Sequence, residues 1–141
     1  MAENYLQCRV KAISENEGFL RSAVGAFCVG LNPSLEELND LKTAVSEAVT
    51  NCIVHGYNGT GEGDIVLSVR IEGEEVTVVV EDFGVGIPDI EQAIQPFYTT
   101  KGEDERSGMG FTVMQAFMDD VKVTANTPAG VRVELKKRIN G

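Results

Sequence analysis

The stretch Ser34–Gly56, SLEELNDLKTAVSEAVTNCIVHG, decides how the chain is read. Leu38, Leu41, Val45, Ala48 and Cys52 recur at three- and four-residue spacings, which predicts a helix with one apolar face. Glu47, Asn51 and His55 stand four apart, so a regular helix stacks them as a polar stripe beside that face, with neighbouring Cβ atoms roughly 5–6 Å apart. A carboxylate beside a carboxamide at the edge of a buried face is either a site or a set of solvated polar side chains, and the helix alone does not decide. His55, the only histidine, reads as a structural residue at the helix end.

Upstream, Tyr5 to Ala12 alternates, with Leu6, Cys8 and Val10 on one side, which is the period of a half-buried strand. Ser14 with Glu17 predicts a capping box opening a first helix, whose apolar face of Phe19, Leu20, Ala23, Val24, Phe27 and Cys28 runs to about Leu31. Asn32-Pro33 breaks it, and Ser34 with Glu37 opens the next helix by the same device.

Downstream, the glycines of Tyr57–Gly63 predict a flexible connection. Ile65, Leu67, Val69 and Ile71, the turn at Glu72-Gly73-Glu74, then Val76, Val78 and Val80 form a hairpin. The inward parity of its second strand continues to Asp82, and a carboxylate on an apolar face is costly to bury unless it meets donors. The stretch from Gly84 to Gly108, apart from a short helical piece near Ile90–Ile94, reads as a lid or a disordered loop. Phe111, Val113, Met114, Phe117 and Met118 then mark another helix. Two strands close the chain, with Val121 and Val123, then Val131, Val133 and Leu135, facing inward and a turn at Pro128-Ala129-Gly130.

Strand, helix, helix, hairpin, lid, helix, hairpin is an α+β order. It predicts a two-layer α/β sandwich: a mixed, mostly antiparallel sheet with its helices packed on one face. A chain of 141 residues suits one domain, 1–141, with the lid at about 87–107. The net charge of −10 disfavours a nucleic-acid surface or an anionic membrane as partner. The three widely spaced cysteines form no CxxC pair, which argues for reduced thiols and against a disulfide framework or zinc site. No spanning segment or signal peptide is apparent, so a cytoplasmic protein is expected.

Two glycine clusters point to a nucleotide. Gly84 and Gly86, directly after Asp82, let backbone approach a flat ligand. Gly108 and Gly110 flank a helix start, where unpaired N–H groups and the helix dipole favour phosphate. Lys101 and Arg106 lie just before that second cluster and are suited to neutralising phosphate oxygens, though solvated loop charges look the same in sequence. GxxxxGK[ST] is absent, the strand-linked glycines lack the third member of a dinucleotide fingerprint, and Asp82-Phe83-Gly84 stands without the other kinase signatures.

In chain order, Glu47-x-x-x-Asn51, Asp82-x-Gly84-x-Gly86 and Gly108-x-Gly110 resemble the N, G1 and G2 boxes of the gyrase, heat-shock-90, histidine-kinase and MutL ATPase superfamily. More narrowly, SENExFxR around Ser14–Arg21, SEAVTNxIxHGY over Ser46–Tyr57, DxGVGIPDI over Asp82–Ile90, and FxTTK followed by ERSGMGF up to Phe111 resemble the anti-sigma F factors of spore-forming bacteria over nearly the whole chain. The resemblance implies a Bergerat-type fold that binds ATP or ADP. It assigns Asn51 to Mg2+, Glu47 to orienting or deprotonating the attacking hydroxyl, and Asp82 to the adenine amino group. Gly84 and Gly86 would flank the base, and Thr100, Lys101, Arg106, Gly108 and Gly110 would hold the phosphates. Arg21 resembles the family's partner-contacting arginine. The implied partners are the sporulation sigma factor F and an anti-anti-sigma factor phosphorylated on serine, with a homodimer as the assembly. Val131 departs from the pattern, because relatives often carry a hydroxyl residue there. Two alternatives stay open: a stress-response sigma factor as the client, and a nucleotide-dependent binding module with negligible transfer activity.

Overall fold

The computed structural model describes residues 3–86 and 110–140. Strands β1 (Asn4–Lys11), β2 (Asp64–Glu72), β3 (Glu75–Glu81), β4 (Asp120–Ala125) and β5 (Val131–Arg138) form a sheet in the order β1-β2-β3-β5-β4. All four pairings are antiparallel; β2–β3 and β4–β5 are hairpins, whereas β1 reaches β2 through the first two helices and β3 pairs with β5 across a longer connection. Helices α1 (Glu15–Phe27), α2 (Leu35–Asn51) and α3 (Gly110–Phe117) supply the second layer, so the expected two-layer α+β architecture is the one observed.

Period-two alternation places Ile65, Leu67, Val69 and Ile71 of β2, Val76, Val78 and Val80 of β3, and Val131, Val133 and Leu135 of β5 in the core. The β2–β3 connection is tight: Glu72 pairs with Glu75, and Gly73 carries φ +61°, where a glycine-first two-residue hairpin puts its left-handed residue. Against this face α2 buries Leu41, Ala44, Val45, Ala48 and Val49, α1 buries Leu20 and Val24, and α3 contributes Phe111 and Met114. Truncating a fully buried leucine such as Leu41 to alanine would cost about 2–5 kcal/mol.

The two predicted capping boxes fare differently. At Ser34 the box is complete: the Glu37 N–H donates to Ser34 Oγ at 3.0 Å and the Ser34 N–H donates to Glu37 Oε1 at 2.9 Å. Ser14 already has helical backbone angles, φ −56° and ψ −35°, and makes no side-chain cap bond. A capping side chain reaches the N3 amide from an extended backbone, which Ser14 lacks. The entry to α1 is closed instead by the Asn16 carboxamide, which donates to the Lys11 carbonyl at 2.9 Å. Phe19, expected on the apolar face of α1, is 56% exposed. The α-helix ends at Phe27 and tightens into a 3-10 turn over Val29–Leu31 before Asn32 turns left-handed.

The segment after α2 also departs from expectation, because bonds close what reads as a flexible connection. The Gly59 N–H donates to the Ile53 carbonyl at 2.8 Å and the Thr60 N–H to the Tyr57 carbonyl at 3.1 Å. Here Asn58, Gly59, Gly61 and Gly63 all take positive φ. The expected lid at 87–107 lies outside the described residues, as does the short helical piece near Ile90–Ile94.

Candidate nucleotide site

The site begins where α2 stops being an α-helix. After Asn51 the chain makes one π-helical turn, Cys52–Gly56, in which the Tyr57 N–H donates to the Cys52 carbonyl five residues back at 3.1 Å. Such single wide turns recur at functional sites, since the extra residue re-aims the side chains that follow. Glu47 and Asn51 keep their regular one-turn spacing on α2, but His55 sits inside the wider turn, so the predicted three-residue stack holds only as far as Asn51.

The re-aimed turn packs against the end of β3. Asp82 is only 3% exposed, and its Oδ1 accepts the N–H of Gly84 at 3.0 Å and of Val131 at 3.3 Å. The buried Cys52 thiol lies beside the same carboxylate. Burial raises the Asp82 pKa above the ordinary carboxylate value, and these hydrogen bonds, first that from Gly84, hold the rise in check. Burial, followed by the nearby carboxylate, likewise pushes the Cys52 thiol well above its ordinary value.

Glycine is required around Asp82 for close approach. A Cβ on Gly56 would stand 2.8 Å from the carboxyl carbon, one on Gly84 would lie 1.8 Å from the Gly56 carbonyl oxygen, and one on Gly130 would lie 2.1 Å from the Asp82 carbonyl oxygen. Gly86 differs, because its nearest contact would be an ordinary 3.6 Å while its φ is +78°, so it is glycine for its backbone angle. The segment is stitched by the Asp82 N–H donating to the Val131 carbonyl at 3.0 Å, the Val85 N–H to the Gly56 carbonyl at 2.9 Å, and the Asn126 carboxamide to the Asp82 carbonyl at 3.0 Å.

Helix α3 brings the third predicted cluster to the first. A Cβ on Gly110 would stand 2.9 Å from the Asn51 carboxamide nitrogen, so the missing side chain leaves the room that Asn51 occupies. The structure thus sets Gly110 against Asn51 and, through the wide turn that follows Asn51, Gly56 against Asp82 and Gly84. Thr100, Lys101, Arg106 and Gly108 lie outside the described residues. Val131 contributes its main-chain N–H to Asp82, a bond independent of its side chain, which is buried and carries no hydroxyl.

On the outer side of α2, Glu47 faces a polar groove of about 560 Å3 between the first two helices, lined by Arg21 and Ser22 of α1 and by Asn39, Lys42, Thr43, Ser46 and Glu47 of α2. Arg21 Nε lies 3.5 Å from Glu17 Oε2, one turn back. Cys52, Gly56, Tyr57, Asn126 and Gly130 also build the site, although sequence reasoning gave none of them a role in it. The histidine-glycine-tyrosine run that closes the wide turn and the glycine before β5 are the only signals, and each looks like an ordinary turn.

A buried carboxylate framed by glycines can accept a hydrogen bond from a flat ligand that lies against the backbone. The chain matches the model for the histidine kinase-like ATPase domain over residues 13–137. The same fold appears in the catalytic domain of the histidine kinase ThkA, with TM-score 0.60 and 18% identity over 99% of this chain and 97% of that one. It appears again in the RsbU and RsbW domains of Rv1364c from Mycobacterium tuberculosis, with TM-score 0.68 and 17% identity over 96% of this chain and 32% of that one. Fold and site together therefore define a histidine kinase-like ATPase domain, a nucleotide-binding class.

Closer relatives narrow the class. The anti-sigma F factor of Geobacillus kaustophilus is 53% identical over 96% of this chain and 93% of its own. Those of Bacillus licheniformis and Clostridium beijerinckii are each 46% identical, over 98% and 99% of this chain and 94% and 98% of theirs. The chain belongs to the anti-sigma F factor family.

Proposed function

We propose that this protein binds and inhibits the sporulation sigma factor F and, with ATP as donor, phosphorylates a serine of an anti-anti-sigma factor. The observation that supports the reading best is the position of Glu47. It stands one helical turn from Asn51, at the nucleotide end of α2, and at the same time lines the groove shared with Arg21. A carboxylate between a nucleotide pocket and an open polar groove is placed to take a proton from a hydroxyl entering by the groove.

Asp82 accepts the adenine amino group, with Gly84 and Gly86 keeping side chains away from the base. Asn51 holds Mg2+, which, when bound, offsets charge on the phosphate oxygens. Among the described residues no group of three or more His, Cys, Asp or Glu is arranged to hold a metal ion; Asn51 is the side chain that would hold it. Thr100, Lys101, Arg106, Gly108 and Gly110 complete the phosphate site, the lid spans about 87–107, and Arg21 contacts the protein partner. Phosphoryl transfer of this kind needs positioning and charge neutralisation more than covalent chemistry from the protein.

The setting is cytoplasmic. No described helix is long and apolar enough to cross a membrane. A homodimer is proposed through β1 and α1, because β1 is the first strand of the sheet order and its Tyr5 is 77% exposed. Light scattering should return twice the chain mass.

Incubation with γ-labelled ATP, Mg2+ and the anti-anti-sigma factor tests the whole reading. Label is expected on serine, and Glu47→Ala should abolish it while ADP binding persists. Label that survives in Glu47→Ala, or ADP binding lost with it, would remove Glu47 from the proton-accepting role. Co-purification with sigma F, set against a stress-response sigma factor, tests the client.

A further inference from the structure

The backbone N–H groups from Asp82 to Val85 are all taken, and one partner is unlike the rest. Those of Asp82 and Val85 donate to main-chain carbonyls and that of Gly84 to the Asp82 side chain. The Phe83 N–H donates to the Tyr57 hydroxyl at 2.7 Å. That hydroxyl in turn donates to the Asp64 carbonyl at 2.7 Å, at the start of β2. The ring is fixed as well: a Cβ on Gly63, whose φ is +88°, would lie 2.3 Å from it. Tyr57 follows the wide turn directly.

The wide turn and the residue that follows it therefore hold the Asp82 segment at two points: Tyr57 at the Phe83 amide and the Gly56 carbonyl at the Val85 amide. We infer that Tyr57 is a positioning residue for base recognition, setting the aim of Asp82 and hence the preference for adenine over guanine nucleotides. The inference rests on the nucleotide-binding role proposed for this site. Tyr57 acts through the amide next to Asp82 and not as a contact to the base. Without the hydroxyl, the Phe83 amide loses its fixed partner and the segment gains alternative orientations. A loosened carboxylate no longer discriminates sharply between an amino group and a carbonyl, so binding of the correct base suffers more than that of the wrong one.

Calorimetric titration with Mg-ADP and Mg-GDP, alongside thermal unfolding of the apo protein, tests this on the full chain. For Tyr57→Phe, ADP affinity is expected to fall about five- to ten-fold, with GDP affinity changing much less, so that the ADP-to-GDP ratio shrinks. If Tyr57→Phe fails to fold, hydrogen exchange of the Phe83 amide in the parent decides: slow exchange is expected from its bond to the Tyr57 hydroxyl, and exchange at the rate of an open amide overturns the inference. An unchanged ratio overturns the inference, whether both affinities stay at the parent value or fall together with the unfolding temperature, since the second pattern marks a merely structural role. Parent protein that binds no ADP overturns the nucleotide reading and this inference together, whereas parent binding with unchanged variant ratios overturns this inference alone.

Discussion

Gly110 packs so closely on Asn51 that a Cβ there would stand 2.9 Å from the carboxamide nitrogen and 3.2 Å from its oxygen. The atoms in the way are the far end of a side chain, which swings aside at little energetic expense. Gly110 is also the first residue of α3, where alanine is the better helix former by up to about 1 kcal/mol. Gly110→Ala should therefore leave the unfolding temperature unchanged or raise it, while displacing Asn51. Given the metal-holding role proposed for Asn51, transfer activity should fall roughly 10- to 100-fold, the usual penalty for disturbing what orients a metal ligand. Parallel melting curves and labelling assays check both halves, and a stability loss with full activity would contradict the geometry.

Asp82→Asn separates binding from stability. The folded protein raises this pKa from 3.8, so the native state holds the proton more tightly than the unfolded chain. Its contribution to stability is therefore greatest below pH 3.8 and declines as pH rises through the folded value. Asparagine removes that penalty, so at pH 7 the apo variant should melt no lower than the parent. ADP affinity should drop roughly ten- to hundred-fold, as expected for losing a hydrogen bond to a charged acceptor. In the parent, affinity should also weaken as pH falls through the Asp82 titration, a slope that the variant lacks. Calorimetry across pH reads both.

The Ser34 cap carries a second pH signature of opposite sign. Glu37 accepts the Ser34 N–H through one oxygen and the Asn140 N–H at 2.7 Å through the other, joining the start of α2 to the end of the chain. The bond from Ser34, then that from Asn140, lowers the Glu37 pKa below 4.5. The resulting stability is present above pH 4.5 and is lost as pH falls through the lowered value. Glu37→Gln should unfold at lower urea than the parent at pH 7, and the two should converge in acid. Ser34→Ala should lose about 1 kcal/mol.

These examples separate what the residues reveal locally from what they do not. The Ser34 cap, the hairpin turn at Gly73 and the inward parity of Asp82 are set by spacings of two to four residues, so they were legible. The wide turn after Asn51 was not, because it is drawn out by bonds from Val85 and Phe83 to Gly56 and Tyr57, partners remote in sequence. The same holds for the glycines. Gly84 was identified by its neighbourhood to Asp82, whereas Gly56 and Gly130 matter through contacts with that segment alone. Ser14 shows the converse failure, a correct local pattern overruled by a backbone already helical at the cap.

Arg21→Ala tests the groove. The arginine is 3.5 Å from Glu17 on an open helix face, and ion pairs of that kind contribute about 0–1 kcal/mol. Removing it should shift the unfolding midpoint little. Glu47, on the other wall of the groove, stays in place on α2, so ADP binding should match the parent. The loss should appear only toward the protein partner. An arginine central to an interface typically costs about 2 kcal/mol or more on truncation, about a 30-fold weakening. Titration of sigma F and of the anti-anti-sigma factor against the variant measures this, with labelling at saturating partner as a control. Because Arg21 and Glu47 line one groove, labelling should recover when the partner is in excess, showing that Arg21 serves capture while Glu47 serves the chemistry. Labelling that stays low at saturation would instead place Arg21 in the transfer step itself.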